Sequence, residues 1–168
     1  NQAWNAGGNG VTIICDDDSA FSLITVLSGS PDLNGTWTDP DGLAHAGLYF
    51  PGQSDPGVYT YTLPAIGACA LDQSTVTVIE NHAPNAGGDG TMEVCSDDDD
   101  LDLFTVLLNS PETGGDWFHP NGDPFSGVYV PGSSIAGAYT YVLVANAPCV
   151  NDTAYVYVVE NPAPDAGF

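Results

Sequence analysis

The sequence predicts an all-β protein made of two tandem antiparallel β-sandwich domains of about 80 residues each, set end to end. The chain repeats itself at an offset of 80 residues, and short apolar segments alternate throughout with Gly, Pro, Asn and Asp. A repeat of this length is a whole small domain. The alternation is typical of short strands joined by turns.

The repeat aligns without a gap and sets the domain limits. Matched positions include Asn5–Gly8 with Asn85–Gly88, Cys15 with Cys95, Pro31 with Pro111, Trp37 with Trp117, Tyr59–Tyr61 with Tyr139–Tyr141, and Cys69 with Cys149. We assign residues 1–4 to a linker from a preceding repeat, 5–84 to the first repeat, 85–164 to the second, and 165–168 to the start of a further one. The Pro-containing linkers predict semi-rigid connections.

Strands are predicted where apolar and β-branched residues cluster. In the first repeat these are Val11–Cys15, Phe21–Leu27, Gly35–Thr38, Ala46–Phe50, Val58–Leu63 and Ser74–Ile79, and the second repeat has the same set 80 residues later. Val76 and Val78 alternate with Thr75 and Thr77, as in a strand with one buried face. Phe21–Leu27 is apolar on both faces, so periodicity leaves open a central strand or one helical turn.

The charge of the chain is unusual and excludes some partners. Lys and Arg are absent against 22 acidic residues, a net charge of −22, yet 43% of the residues are hydrophobic. That apolar content favours a packed core over disorder. Nucleic acid and anionic membrane surfaces are excluded as partners, because no cationic side chain can neutralise phosphates. The like charges must be spread out, screened by salt or neutralised by bound cations.

Two cysteines in each repeat predict one disulfide per domain. We expect Cys15 to pair with Cys69 and Cys95 with Cys149, each bond tying the first strand to the loop between the last two strands. The competing interpretation, a metal site, lacks a CxxC motif or clustered histidines. Disulfides indicate an oxidising, extracellular compartment. No segment has the long apolar run of a membrane span.

A family resemblance follows from the positions that recur. The motif residues of the second repeat are Asn85–Gly88, Cys95, Leu103-Phe104, Ser110-Pro111, Gly115, Trp117, Gly127, Gly137–Tyr141, Cys149, Asp152 and Val156–Val158. This string resembles the immunoglobulin-like or PKD-like repeats of giant secreted Bacteroidota surface proteins of the gliding-motility adhesin type. The resemblance covers the whole chain twice. It implies export by the type IX system, anchoring through a distant C-terminal domain, and adhesion or filament building.

Acidic runs follow the first cysteine of each repeat and are candidate calcium ligands. They are Asp16, Asp17 and Asp18 in the first repeat, and Asp97, Asp98, Asp99, Asp100 and Asp102 in the second. Crowded carboxylates are the hard oxygen ligands that Ca²⁺ prefers, although EF-hand spacing is absent. The alternative is a pair of solvated acidic loops.

The aromatic residues divide into core and surface candidates. Trp37 and Trp117 hold one repeat position, which indicates core packing. Trp4 stands where the next linker has a proline, and we expect it to cap a neighbouring domain. Tyr155 and Tyr157 replace two threonines on the outward face of the last strand. They are candidates for contact with a glycan or a neighbouring chain, or are simple surface variation.

Short glycosylation signals occur in both repeats. Asn34 and Asn151 each begin an Asn-x-Thr acceptor sequence. Ser19 and Thr153 lie in Asp-Ser/Thr-Ala sequences that resemble Bacteroidota O-glycosylation sites. Three-residue patterns also arise by chance.

Together these observations favour a non-enzymatic surface protein. No Ser-His-Asp or Cys-His set recurs, the three histidines differ between repeats, and an 80-residue duplicated unit offers no large cleft. We predict a structural repeat segment of an extracellular filament, stalk or giant surface adhesin that self-associates. The alternative is a carbohydrate- or cell-binding adhesion module.

Overall fold

The computed structural model describes residues 4–67 and 69–164. The predicted linker residues 1–3 and the predicted further repeat at 165–168 lie outside the described residues. The chain forms two compact units. The first runs to His82 and also includes Asn146–Cys149, whereas the second comprises Ala83–Ala145 and the residues from Val150 onward. Asn146–Cys149 therefore belongs structurally to the first unit, although the sequence repeat places it in the second.

The first unit is a β-sandwich with one large and one small sheet. Its strands are β1 (Gly10–Cys15), β2 (Phe21–Ser22), β3 (Thr36–Thr38), β4 (Ala44–His45), β5 (Leu48–Tyr49), β6 (Gly57–Leu63) and β7 (Asp72–Asn81). The large sheet has the order β1-β7-β6-β3-β4, and β2 pairs with β5 in the small one.

The second unit repeats this arrangement. Its strands are β8 (Gly90–Cys95), β9 (Leu101–Asp102), β10 (Asp116–Phe118), β11 (Pro124–Phe125), β12 (Val128–Tyr129), β13 (Gly137–Leu143) and β14 (Asp152–Asn161). The large sheet has the order β11-β10-β13-β14-β8, and β9 pairs with β12. The predicted all-β tandem sandwich is confirmed. Within the described residues no helix is long and apolar enough to cross a membrane.

One strand pair in each unit runs parallel, in sheets that are otherwise antiparallel. β1 lies parallel to β7 from the pair Gly10–Val76 to the pair Cys15–Asn81, and β8 lies parallel to β14 in the same register. β7 is antiparallel to β6 on its other side. The long strand therefore has both edges covered, and the chain enters and leaves the unit along neighbouring strands that point the same way.

The segment Phe21–Leu27, for which periodicity left open a strand or one helical turn, contains a short strand followed by a turn of 3-10 helix. Phe21-Ser22 forms β2, and Leu23–Thr25 then forms a 3-10 turn. The turn forms because Thr25 donates its hydroxyl to the Ser22 carbonyl at 2.7 Å, while Leu23 is fully buried. In the second unit the Asp102 side chain accepts a bond from the Phe104 N–H, so this aspartate caps the equivalent turn.

A β3–β4 hairpin is present where no strand was predicted at Ala44–His45. The Asp39 side chain accepts bonds from the backbone N–H groups of Asp41 and Leu43, at 3.1 and 2.8 Å. This local turn positions β4 against β3. The signal is an Asp-Pro-Asp-Gly sequence, which is typical of turns.

Each core is built around one tryptophan and three tyrosines. Trp37 and Trp117 are each 8% exposed, so their predicted core packing is confirmed. The tyrosine hydroxyls find specific partners: Tyr61 donates to the Asp32 carbonyl at 2.6 Å and accepts from the Gly35 N–H at 2.8 Å. Tyr141 repeats these bonds with Glu112 and Gly115. A buried hydroxyl needs such partners, because an unpaired one would be costly.

A second buried tyrosine in each core bonds a carboxylate. Tyr49 donates its hydroxyl to Glu80 at 3.0 Å, and Tyr129 donates to Glu160 at 2.7 Å. Burial, followed by this hydrogen bond and the carboxylate charge, raises the pKa of both tyrosines well above the usual value. Burial also raises the pKa of Tyr59 and Tyr139.

These shifts predict alkaline sensitivity. In the unfolded chain a tyrosine ionises near pH 10, whereas the pKa of these four is raised in the folded protein, so stability is lost as the pH rises above that value. The slope should be about 1.4 kcal/mol per pH unit for each such tyrosine. Guanidinium unfolding of alkylated protein between pH 8 and 11.5 measures it. Tyr49→Phe with Tyr129→Phe should lower the slope, and an unchanged slope would contradict the assignment.

Candidate functional site

The structure corrects the predicted disulfide pairing. Cys15 is bonded to Cys149, with Cα atoms 5.1 Å apart and 134 residues of sequence separation. Cys69 and Cys95 are free and half-buried. The predicted Cys15–Cys69 and Cys95–Cys149 bonds are therefore wrong, and within the described residues one disulfide stands in place of the two that were predicted.

The parallel strand pair explains why the two cysteines of one repeat cannot meet. Cys15 lies beside Asn81, at the end of β7, whereas Cys69 comes three residues before the start of the same strand at Asp72. β7 has 10 residues, and a strand rises about 3.3 Å per residue, so these places are roughly 30 Å apart. A disulfide requires Cα atoms about 4.4–6.8 Å apart.

Cys15 and two neighbouring residues, Asp18 and Asn81, form a site that we call the cysteine socket. The Cys15 N–H donates to the Asp18 side chain at 2.8 Å, and the Asp16 N–H donates to the Asn81 carbonyl at 2.9 Å. The Asn81 side-chain amide donates to the Ala147 carbonyl at 2.7 Å. The Cys149 sulfur lies 3.4 Å from the Asn81 carbonyl oxygen. The socket thus consists of Cys15, Asp18 and Asn81, and it holds the turn Asn146–Cys149.

The second unit has the same socket, formed by Cys95, Asp98 and Asn161. The Cys95 N–H donates to Asp98 at 2.7 Å, and the Ser96 N–H donates to the Asn161 carbonyl at 2.9 Å. The Asn161 amide donates to Glu93 at 2.7 Å, at the position that Ile13 holds in the first unit. The sequence reasoning missed both asparagines. Their signal was the Glu-Asn pair that ends the last strand of each repeat.

The turn that fills the socket also has a counterpart in the first repeat. The Cys149 N–H donates to the Asn146 carbonyl at 3.0 Å, and the Cys69 N–H donates to the Ile66 carbonyl at 2.9 Å. We call these the cysteine turns. Each repeat therefore carries one socket and one cysteine turn, and in this chain one of each is joined.

The acidic runs supply turn caps as well as charge. Asp18 and Asp98 each accept a bond from a cysteine N–H, and Asp102 caps a 3-10 turn. Asp16 contacts His82 at 2.7 Å between Oδ2 and Nδ1. The groups Cys15-Asp16-Asp17 and Cys95-Asp97-Asp98 bring potential ligand atoms within 4.8 Å, but the Cys15 sulfur is used in the disulfide. Calcium binding at the predicted aspartates stays a prediction.

The surface aromatic candidates separate into two cases. Trp4 is half-buried and packs against the core of the first unit, so its indole is part of that core's edge. The expectation that Trp4 caps a neighbouring domain stays a prediction. Tyr155 and Tyr157 are 38% and 44% exposed on the outward face of β14, with ring centroids 6.2 Å apart.

The four glycosylation candidates, Ser19, Asn34, Asn151 and Thr153, are all exposed. Asn151 uses its side-chain oxygen to accept the Ala145 N–H at 2.9 Å. Their modification stays a prediction. A shallow groove on the first unit is lined by Ser22, Ile24, Leu33, Trp37 and Tyr61 among others, and its single titratable lining side chain, Tyr61, is already hydrogen-bonded.

Comparisons with known proteins agree on the fold. The chain resembles a three-domain titin fragment, I67–I69, with a TM-score of 0.54 at 14% identity, over 94% of this chain. A second structure of that fragment gives 0.53 at the same identity and coverage. The chain spans 65% of the length of each fragment. A four-domain Dscam1 structure gives 0.47 at 12% identity. The sequence matches no family model and no curated protein. The units are thus immunoglobulin-like in fold.

The corrected pairing predicts a definite thiol pattern. When freshly purified monomer is alkylated in denaturant before reduction, Cys69 and Cys95 should take the first label, and Cys15 and Cys149 only a second label added after reduction. Trypsin cannot cut a chain without Lys or Arg, so chymotryptic peptides are mapped by mass spectrometry. Recovery of a Cys15–Cys69 peptide would restore the pairing within one repeat.

Proposed function

We propose that this chain is a structural, load-bearing repeat segment of an extracellular filament, stalk or giant surface adhesin of the secreted Bacteroidota type. The observation that supports the proposal best is the Cys15–Cys149 disulfide, because it encloses most of the chain within one covalent loop. Tension applied to the two ends passes through the disulfide and bypasses the enclosed residues. Such a segment resists lengthening, as a stalk must.

The strand arrangement of each unit supports the same role. β1 and β7 are parallel neighbours, so the chain enters at one end of the pair and leaves at the other. When the disulfide is reduced, tension along the chain pulls the six paired positions past each other and loads their hydrogen bonds together. β8 and β14 repeat the geometry. A disulfide also fits an oxidising, extracellular setting.

Force spectroscopy tests this proposal. Cys69→Ser with Cys95→Ser keeps the disulfide, and adding Cys149→Ser removes it. Loss of the disulfide should release about 470 Å more contour length, because it encloses a separation of 134 residues and an extended residue spans about 3.5 Å. Equal lengths released by the two variants would remove the support for a load-bearing role.

Calcium at the acidic runs is a subsidiary proposal. Asp17, Asp97, Asp99 and Asp100 add exposed or half-exposed carboxylates beside the two sockets, and no Lys or Arg exists to pair with them. A bound divalent cation would lower the repulsion among them. The melting temperature in CaCl₂ and in NaCl of equal ionic strength distinguishes a site from screening.

A second candidate function rests on Tyr155 and Tyr157. The two exposed rings lie side by side on one sheet face, an arrangement that suits stacking on a sugar. The first repeat has Thr75 and Thr77 at the same positions, so this surface belongs to one repeat only.

Glycan-array binding tests the adhesion alternative. If the tyrosines carry it, Tyr155→Thr with Tyr157→Thr should weaken binding on the order of tenfold, from the loss of two aromatic contacts. Thr75→Ala with Thr77→Ala is the matched control and should leave binding unchanged. Equal binding by both variants would assign the tyrosines to ordinary surface variation.

A further inference from the structure

The two free cysteines occupy the same repeat positions as the two bonded ones, Cys15 and Cys149. Cys95 occupies the socket position that Cys15 holds in the first unit, and Cys69 occupies the turn position that Cys149 holds. Since Cys15 and Cys149 are bonded in this structure, the repeat shows what each free cysteine pairs with when its partner is present.

The socket of the second unit has the same backbone bonds as the socket of the first. Asp98 fixes the Cys95 N–H, and the Asn161 carbonyl fixes the Ser96 N–H, with the same bonds and nearly the same lengths as in the filled socket. The principal difference is exposure: Cys15 is 4% exposed, whereas Cys95 is half-buried. A partner bound at the second socket would therefore cover a thiol whose backbone is already held in place.

The backbone bond of a cysteine turn is also present at the free Cys69. Cys69 and Ile66 are joined by the backbone bond that Cys149 and Asn146 make. When such a turn is seated, Asn81 donates its amide to the carbonyl two residues before the cysteine. The corresponding carbonyl in the free turn belongs to Gly67, and Asn161 is the matching donor. An asparagine amide has two N–H donors, so Asn161 has one left while it bonds Glu93.

We propose that Cys95 of one copy of this chain forms a disulfide with Cys69 of another, so that copies join head to tail through the socket and the cysteine turn. Two thiols and one oxidised glutathione give one protein disulfide and two reduced glutathiones, which take up both electrons and both protons. Each joined copy still offers one free socket or turn, so the reaction extends into a chain of copies. This proposal deepens the structural role above, on which it rests, by naming the partner and the bond.

Two single-cysteine variants test it in a mixing experiment. Cys69→Ser keeps only the free socket, and Cys95→Ser keeps only the free turn. Oxidised separately with glutathione at high ionic strength, which screens the repulsion between two acidic chains, each should stay at the 17.4 kDa of the monomer. Mixed, they should give a disulfide-linked species of twice that mass, containing a Cys95–Cys69 peptide. Unaltered protein should give a ladder of higher multiples.

An asparagine variant separates a docked connection from random thiol oxidation. Asn161→Ala, placed in the socket chain, should lower the yield of heterodimer about fivefold at limiting glutathione, the loss expected for one hydrogen bond. Asn34→Ala in the same chain is the exposed control and should not change the yield.

Several outcomes would overturn the proposal. These are homodimers as abundant as heterodimers, no effect of Asn161→Ala, cross-links that contain Cys15 or Cys149, or closure of Cys69 onto Cys95 within one molecule. The two proposals fail separately. If copies do not join while the disulfide still limits extension under force, the load-bearing role stands without self-assembly. If copies join but the disulfide does not limit extension, self-assembly stands without the load-bearing role.

Discussion

The structure depends on a single constraint: because the chain has no Lys or Arg, its carboxylates cannot form ion pairs with those side chains. Backbone N–H groups take the place of those cations. Asp72 accepts the Ala6 N–H at 2.7 Å and Asp152 accepts that of Ala86 at the same distance. Each bond fixes the start of a unit to the start of its last strand. An N–H group that donates to a carboxylate stabilises its charge and also ties two parts of the chain together. Such charge-assisted hydrogen bonds are stronger than hydrogen bonds between neutral groups.

The same use of carboxylates explains why acidic residues sit at turns and strand ends. Glu80 accepts bonds from the Tyr49 hydroxyl and the Gly52 N–H, and so joins the end of β7 to the loop after β5. Glu160 does the same with Tyr129 and Gly132. These bonds place charge at the rim of each core, where water still screens it. The net charge of −22 is thereby distributed along the units.

The sequence was sufficient for the fold but not for the pairing of its cysteines. Alternation at Val76 and Val78, together with the repeated tryptophan and tyrosines, predicted the strands and core because these depend on local pattern. A disulfide depends on which strand ends meet in space. Pairing within one repeat and pairing between two repeats join the same two kinds of sequence position, so the repeat pattern cannot distinguish them. Parallel pairing of the first and last strands decides the matter, and periodicity carries no information about strand direction. The short β4 was missed because its two residues have no alternation.

Strand direction also places the two cysteines of a repeat at opposite ends of its last strand. In the first unit Cys15 lies at one end of β7 and Cys69 near the other, roughly 30 Å away, from the 10 residues of the strand and a rise of about 3.3 Å per residue. The proposed connection between copies joins two different surfaces, the Cys95 socket and the Cys69 turn, and such a heterologous connection extends in a line unless its geometry closes a ring. The parallel edge strand, which rules out a disulfide within the repeat, is therefore also the feature that gives the repeat its polarity.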